Sequence, residues 1–451
     1  MLRPGGRGFQ EGFVQARSSR ESGPVGLVQS LEEGLAPDGG LYMPMEWPAL
    51  PPPPPSLGET LSDTAAWAAP HLVEGMLQRS ELEAVAREAL NFPVPLTSLD
   101  GRIQLLELFH GPTLAFKDVG ARFLARVWSR LEDPTPRTVL VATSGDTGGA
   151  VARACHGLAG VRVVVLFPKG RVSDVQRRQF TTLGGNVVAV QVDGPFDRCQ
   201  QLVKAALRDP TLRRRHRLTS ANSINLGRLL PQVFYYLHLA RLEGWGKGEP
   251  ARRPVIVPSG NLGNITAGVL ASRTGAPLGS LVAALNANDA LLRYCREGVV
   301  RDAPVRRTLA TAMDVAHPSN LERLEDLFGY DPSRLQAALN PTSVPDEEVE
   351  AAIRWAWTTC GTHLDPHTAV GVAVARREPW SAGRVTVLAT AHPAKFPRVV
   401  ERCTGVPVPA HPRLSAEARL PEVVLSLEGD LEALDAVLSG AGDPYRCEEG
   451  T

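Results

Sequence analysis

RTVLVATSGDTGGAVARACHGLA, residues 137–159, is the stretch from which the fold is read. RTVLVAT (137–143) is a short apolar, β-branched run, SGDTGG is a glycine-rich turn, and AVARACHGLA has helical spacing. A strand that ends in such a turn and opens a helix is half of a βαβ unit. The pattern recurs outward. VRVVVLF (161–167) is followed by a helix-like segment from Ser173 to Leu183, and NVVAVQV (186–192) by a helical pattern over 197–207. RPVIVPSG (253–260) leads into ITAGVLASR, and GSLVAALN (279–286) and RVTVLAT (384–390) read as further strands. Strands alternating with helices predict an α/β fold with mostly parallel sheets. Ligands in such folds sit at the carboxyl ends of strands, so chemistry is expected in the turns after 143, 167, 258 and 390.

Upstream, Pro51 to Pro55 form a five-proline run, a stiff extended connector between a short N-terminal region and a helical stretch around 60–90. The opening MLRPGGRGFQEGFVQAR carries several Arg but no amphipathic Arg/Ser-rich stretch, and reads as a ragged start rather than a transit peptide. Arg213 to Arg215 read as solvated surface. Lys+Arg and Asp+Glu balance at 48 each, which disfavours nucleic acid or an anionic membrane as partner but leaves room for a small cationic pocket and a phosphorylated metabolite. No apolar run approaches the ~20 residues of a membrane span. The six cysteines are scattered, with no C-x-x-C and no zinc spacing, and read as reduced thiols of a cytoplasmic protein.

Five segments carry candidate chemistry. In Thr143–Gly149 the glycines permit close approach of a ligand, and Ser144 and Thr147 add hydroxyls, although such turns serve equally as plain helix caps. Pro258-Ser-Gly-Asn-Leu-Gly-Asn264 is neither G-x-G-x-x-G nor a Walker loop; its backbone N–H groups suit a single phosphate monoester, or it is a structural turn. In ELFHGPTLAFKD (107–118), Lys117 sits beside Phe116 and Ala115, where desolvation lowers an amine's pKa and makes it nucleophilic, though a lone Lys is ordinarily a surface residue. In SANSINLGR (220–228), Asn222, Ser223 and Arg228 can wrap an oxyanion; the plain alternative is an N-cap at Asn222 or Ser223 with a surface Arg. In LATAHPAKF (388–396), Thr390 offers a neutral hydrogen bond to a ligand, and His392 reads either as a ligand group or as packing. One desolvated lysine, one phosphate cup, one glycine-rich turn and one hydroxyl at a late strand end together suggest a Schiff-base lysine with pyridoxal 5′-phosphate.

LELFHGPTLAFKD, TSGDTG, LFPKGRVS, TLGGN, SANSIN-x-x-R, VPSGNLGN, AMDV, PHTAVG and TAHPAKF, in this order, resemble the bacterial threonine synthase family, as do the N-terminal SSR and PDGGLYMP. The likeness runs from about Ser18 to about Pro409, with only a loose match beyond 410. It implies the tryptophan-synthase-β-like fold, fold type II: two α/β domains with the cofactor between them, plus a small N-terminal region. The expected boundaries are 1–95, 96–250 with the Schiff-base lysine and substrate loops, and 251–451 with the cofactor-phosphate loop, the halves exchanging segments. The resemblance further implies Lys117 as the cofactor-bound lysine, Gly260, Asn261, Leu262, Gly263 and Asn264 around the cofactor phosphate, and Thr390 at the pyridine nitrogen. Ser144, Asp146 and Thr147 would lie near the substrate carboxylate and the cofactor's 3′ oxygen. Lys169, Asn222, Ser223 and Arg228 would take the substrate phosphate.

The activity so implied converts O-phosphohomoserine and water to threonine and phosphate by β,γ-elimination and replacement. The alternative is a phospholyase of the same fold that releases a keto acid. Partners would be the small substrate alone, with no nucleic acid and no membrane, in a monomer or homodimer. Asp146 stands where many relatives of this fold have Asn, and Leu262 where Phe is frequent; at the second position the backbone is expected to matter more than the side chain.

Overall fold

The computed structural model describes residues 15–20, 23–131, 136–377, 380, 383–428 and 430–440. Most of the N-terminal stretch read as ragged, 1–14, and Cys447 lie outside the described residues.

Two sheets carry the fold. The first has the strand order Leu425–Leu427, Val187–Val192, Val161–Pro168, Arg137–Ala142, Leu218–Thr219, every pair parallel. The second runs Thr342–Ser343, Leu281–Leu285, Val255–Pro258, Val385–Ala389, Ile103–Glu107, Leu96–Ser98, parallel except for its last, antiparallel edge. Val139, Val141, Val163 and Val165 are wholly buried. Strands covered on both faces by helices read as continuous apolar runs rather than alternating ones, and each buried Val contributes about 1.5–3 kcal/mol.

Strand pairing crosses the 250/251 boundary in both directions. Leu96–Ser98 and Ile103–Glu107 join the second sheet, beside Val385–Ala389, and Leu425–Leu427 of the tail joins the first, beside Val187–Val192. The helix Lys117–Trp128 therefore follows the strand Ile103–Glu107 of the second sheet, across the loop 108–116, and packs on the helix Asp146–Cys155 of the first. This crossing places Lys117 at the seam between the sheets.

The N-terminal region adds a small antiparallel sheet of Val25–Gly26, Gln15–Ser18 and Tyr42–Pro44, and two helices, Leu61–Leu72 and Arg79–Ala89. Between these, the proline run lies outside any helix or strand. It passes so close to Gly246 that a Cβ there would meet the Pro53 carbonyl at 2.4 Å. Arg214 and Arg215 are exposed at the end of the helix Pro210–His216, with Arg215 paired to Asp435. Among the described residues no helix is long and apolar enough to cross a membrane.

Candidate active site

The turns after Ala142, Pro258 and Ala389 and the start of the helix Lys117–Trp128 converge on one cavity of about 1020 Å³ including its open mouth. Its wall includes Lys117, Ser144, Asp146, Thr147, Asn222, Ser223, Arg228, Gly260, Asn261, Leu262, Gly263, Asn264 and Thr390. Lys169 is absent from this wall. It stands one residue past the strand Val161–Pro168, 59% exposed, and faces Asp193 at 3.5 Å. The turn after 167 thus points to solvent and contributes no cation here.

The lysine loop is fixed by the late strand end. Phe116 N–H donates to the Thr390 carbonyl (2.9 Å), His392 N–H to the Leu114 carbonyl (3.1 Å), and Ala115 bridges Ala391. Leu114 accepts a left-handed φ of 59° to make this turn. His392 is partly buried, its Nδ1 accepting from Ala394 N–H, and it is not part of the cavity wall. Burial pushes the Lys117 amine below the ordinary lysine value, against the opposing pull of Asp146 at 3.4 Å.

Thr143, not Ser144 or Thr147, organises the glycine-rich turn: its Oγ1 accepts from Gly145 N–H (2.9 Å) and Gly148 N–H (2.8 Å). The Ser144 and Thr147 hydroxyls take no part in that cap. Asp146 is 3% exposed and accepts from Gln176 Nε2 (2.9 Å) and Lys395 Nζ (2.7 Å) on Oδ1, and from Lys117 on Oδ2. Burial alone would raise its pKa, but Lys395, Lys117 and His367 more than offset that and hold the carboxyl well below its usual range.

The second glycine turn is a cradle open to an anion. Leu262 adopts φ 62° and hands the chain to the helix Gly263–Arg273, whose first N–H groups are free of intrahelical partners. A Cβ on Gly260 would strike Met313 Cα at 2.6 Å. Asn264 Oδ1 accepts from Tyr235 (2.8 Å) and Tyr236 (2.7 Å), which fixes the amide's orientation and leaves Nδ2 a buried donor with no protein partner. Orphaned buried donors are rare, and this one in the cavity wall suits an anionic ligand. A phosphate cup, a desolvated amine and a neutral hydroxyl on one cavity fit pyridoxal phosphate.

Asn222 and Ser223 are not helix caps; Asn225 caps the helix Leu226–Leu229 through Gly227 N–H (2.8 Å). Asn222 clasps Ala142 through its carbonyl (2.8 Å) and N–H (3.3 Å), and Ser223 Oγ accepts from Asn261 Nδ2 (2.6 Å), tying the two loops together. Arg228 is buried, not a surface residue. It donates to the Ala221 carbonyl while Nε has no partner, and burial pushes its pKa down to about 10.

Several supporting residues were not read from sequence. Arg323, wholly buried, donates to the carbonyls of Tyr42 (3.1 Å), Ser223 (2.8 Å) and Ile224 (2.6 Å) and to Asn320 Oδ1 (2.6 Å), and Asn320 in turn holds the Asn261 carbonyl (2.9 Å). His367, in PHTAVG, and Gln232 also line the cavity. Lys395 has apolar flanks (Ala394, Phe396) as Lys117 does, but flanks alone do not set it apart from a surface lysine or show its partner.

A family model described as pyridoxal-phosphate dependent enzyme matches residues 93–391, and one described as threonine synthase, C-terminal, matches 368–438. The chain is 40% identical to the threonine synthase of Haemophilus influenzae over 418 residues, covering 92% of this chain and 96% of that one. The chain belongs to the threonine synthase family. The Escherichia coli K12 member is 38% identical, covering 91% and 95%. The crystal structure of the E. coli enzyme superposes with a TM-score of 0.85 at 36% identity, covering 94% of this chain and 99% of that one. The crystal structure of PLP-bound threonine synthase from Brucella melitensis also gives 0.85, at 35% identity, covering 94% of this chain and 98% of that one. The fold is therefore fold type II, and the cofactor is pyridoxal phosphate. The C-terminal match to 438 corrects the expectation that likeness fades beyond 410: the tail belongs to the family's own architecture and supplies a strand to the first sheet.

Proposed function

We infer that the protein converts O-phospho-L-homoserine and water to L-threonine and phosphate, a carbon–oxygen lyase reaction closing threonine biosynthesis. The observation that carries this is the single cavity joining Lys117, the Gly260–Asn264 cradle and Thr390 in a chain of this family.

In this reading Gly260, Asn261, Leu262, Gly263 and Asn264 hold the cofactor phosphate, Lys117 holds its carbonyl carbon, and Thr390 meets its ring nitrogen with a neutral hydroxyl. Pyridoxal phosphate, when bound, supplies an electron sink for charge developing at the substrate's Cα. Lys117 Nζ, its amine kept low by burial, takes the Cα proton and returns it at the end. Ser144, Asp146 and Thr147 orient the substrate near Lys117. Arg228 Nε, with Asn222 and Ser223, receives the γ-phosphate, whose charge grows as it leaves. Lys117 and Arg228 are the Lys and Arg side chains among the described lining residues, and with Lys117 serving as the free amine, Arg228 is the one that meets the phosphate as a cation. A free molecule in the cytoplasm is consistent with five described cysteines that are all unpaired; we place it there, as a monomer or homodimer.

Lys117→Ala tests the site. Reduction of wild-type holoenzyme with borohydride should fix the cofactor to the peptide bearing Lys117, and the variant should lose both that adduct and nearly all turnover. An adduct on another lysine would refute the assignment.

A further inference from the structure

Lys395 is among the largest wholly buried side chains of the molecule and takes no part in the cavity wall. A buried ammonium is costly unless paired and fully hydrogen-bonded. Its Nζ lies 2.7 Å from Asp146 Oδ1 and donates to the Thr113 carbonyl at 2.8 Å. The other Asp146 oxygen faces Lys117 Nζ at the looser distance of 3.4 Å. Two lysines far apart in the sequence thus share one carboxylate, and the tighter contact belongs to the one outside the cavity wall.

We propose that Lys395 is a positioning residue for Lys117: its buried ammonium claims Asp146, holds that carboxylate ionised and fixed, and leaves the Lys117 amine free to act on cofactor and substrate. This rests on the assignment of Lys117 made above. Charge balance supports it. Lys395 and Asp146 neutralise each other, so a second ammonium at Lys117 would leave uncompensated positive charge in a site already holding Arg228. The other charged groups fit the same division. Asp118, from the Lys117 helix, and Glu417, from the helix Pro412–Glu417, lie within electrostatic reach of Lys395, but burial pushes both carboxyls upward. Asp146, facing Lys395, Lys117, His367 and the neutral Gln176, is the carboxylate that stays charged. Burial lowers the Lys117 amine first, Asp146 opposes, and Lys395 and Arg228 lower it further. Without Lys395, Asp146 would turn wholly to Lys117 and favour its ammonium.

The test uses the full-length protein stripped of cofactor. Trace acetylation with acetic anhydride is followed by peptide mass spectrometry across the pH range bracketing the ordinary lysine value, with exposed Lys169 as internal reference. The titration midpoint of Lys117 should rise by about one pH unit or more in Lys395→Met, making Lys117 roughly tenfold less reactive below the midpoint. Lys395→Arg, which keeps a cation, should hold the midpoint near that of wild type. Should Lys395→Met fail to fold, Lys395→Gln, which keeps a donor for the Thr113 carbonyl, should show the same rise. A midpoint that stays or falls in the folded neutral variant overturns the inference. Borohydride mapping of the wild-type holoenzyme separates the two claims: an adduct on another lysine removes the Lys117 assignment, whereas an adduct on Lys117 with an unmoved midpoint removes the role of Lys395 alone.

Discussion

Gly260→Ala should uncouple the cofactor cradle from its support. Gly260 stands between the strand Val255–Pro258 and the helix Gly263–Arg273, and an added Cβ would lie 2.6 Å from Met313 Cα, 3.2 Å from Met313 Cβ and 3.3 Å from the Ala312 carbonyl oxygen. The nearest atom is backbone, which cannot swing aside as a flexible side chain does. The shortfall from ordinary contact at 3.4 Å is about 0.8 Å, and overpacking of this kind costs about 1–3 kcal/mol. If the cradle moves to relieve it, pyridoxal phosphate affinity should fall about 5- to 150-fold. Titrating cofactor-free protein with pyridoxal phosphate, read by absorbance, measures this directly. Gly101→Ala, where a Cβ meets nothing within 4 Å, is the control and should bind like wild type. A Gly260→Ala protein that binds the cofactor as tightly as wild type would show that Met313 does not hold the cradle in place.

Arg228→Ala should raise KM for O-phosphohomoserine about 10- to 100-fold, the worth of one hydrogen bond to a charged group, and leave cofactor affinity within threefold; equal losses of both would place Arg228 elsewhere. Arg323→Met strips donors from the carbonyls of Tyr42, Ser223 and Ile224 at once, so urea unfolding should show a loss of about 3 kcal/mol or more, and an unchanged midpoint would contradict the clamp. Burial pushes His238 from 6.5 down to about 4, its ring held between Thr64 and the Val94 carbonyl. The unfolded chain therefore binds the proton first: stability is fully present above pH 6.5 and falls as pH drops towards 4, by about 3 kcal/mol from this group. His392, also pushed down to about 4, by burial and then by His411 and His110, adds in the same direction. His238→Gln should flatten the slope between pH 7 and pH 4.5; a slope unchanged by that variant would remove the assignment.

The strands and the turns at their ends were legible because both rest on local chemistry. RTVLVAT, VRVVVLF and RVTVLAT are apolar runs of strand length, and the glycines of 145–149 and 260–263 mark where a ligand approaches backbone. Lys169 looked equivalent, a cation after a strand, but one residue of turn geometry sends it to solvent and Asp193. The placement of Ile103–Glu107 beside Val385–Ala389 is a pairing between segments far apart in the chain, for which no local period exists. Arg323 and Lys395 escaped because a charged side chain in sequence reads as surface. Only the tertiary fold shows that the partners are backbone carbonyls in one case and Asp146 in the other. Asn264 was read as part of a phosphate loop, but its orphaned Nδ2 depends on two tyrosines from the preceding helix, Tyr235 and Tyr236.

Threonine synthesis at the Lys117 cavity is measured by giving purified holoenzyme O-phospho-L-homoserine and following phosphate, threonine and 2-oxobutyrate together. Equal amounts of threonine and phosphate are expected, with 2-oxobutyrate at trace level. Phosphate released with 2-oxobutyrate in place of threonine, or no release from cofactor-loaded protein, would contradict threonine synthesis at this cavity.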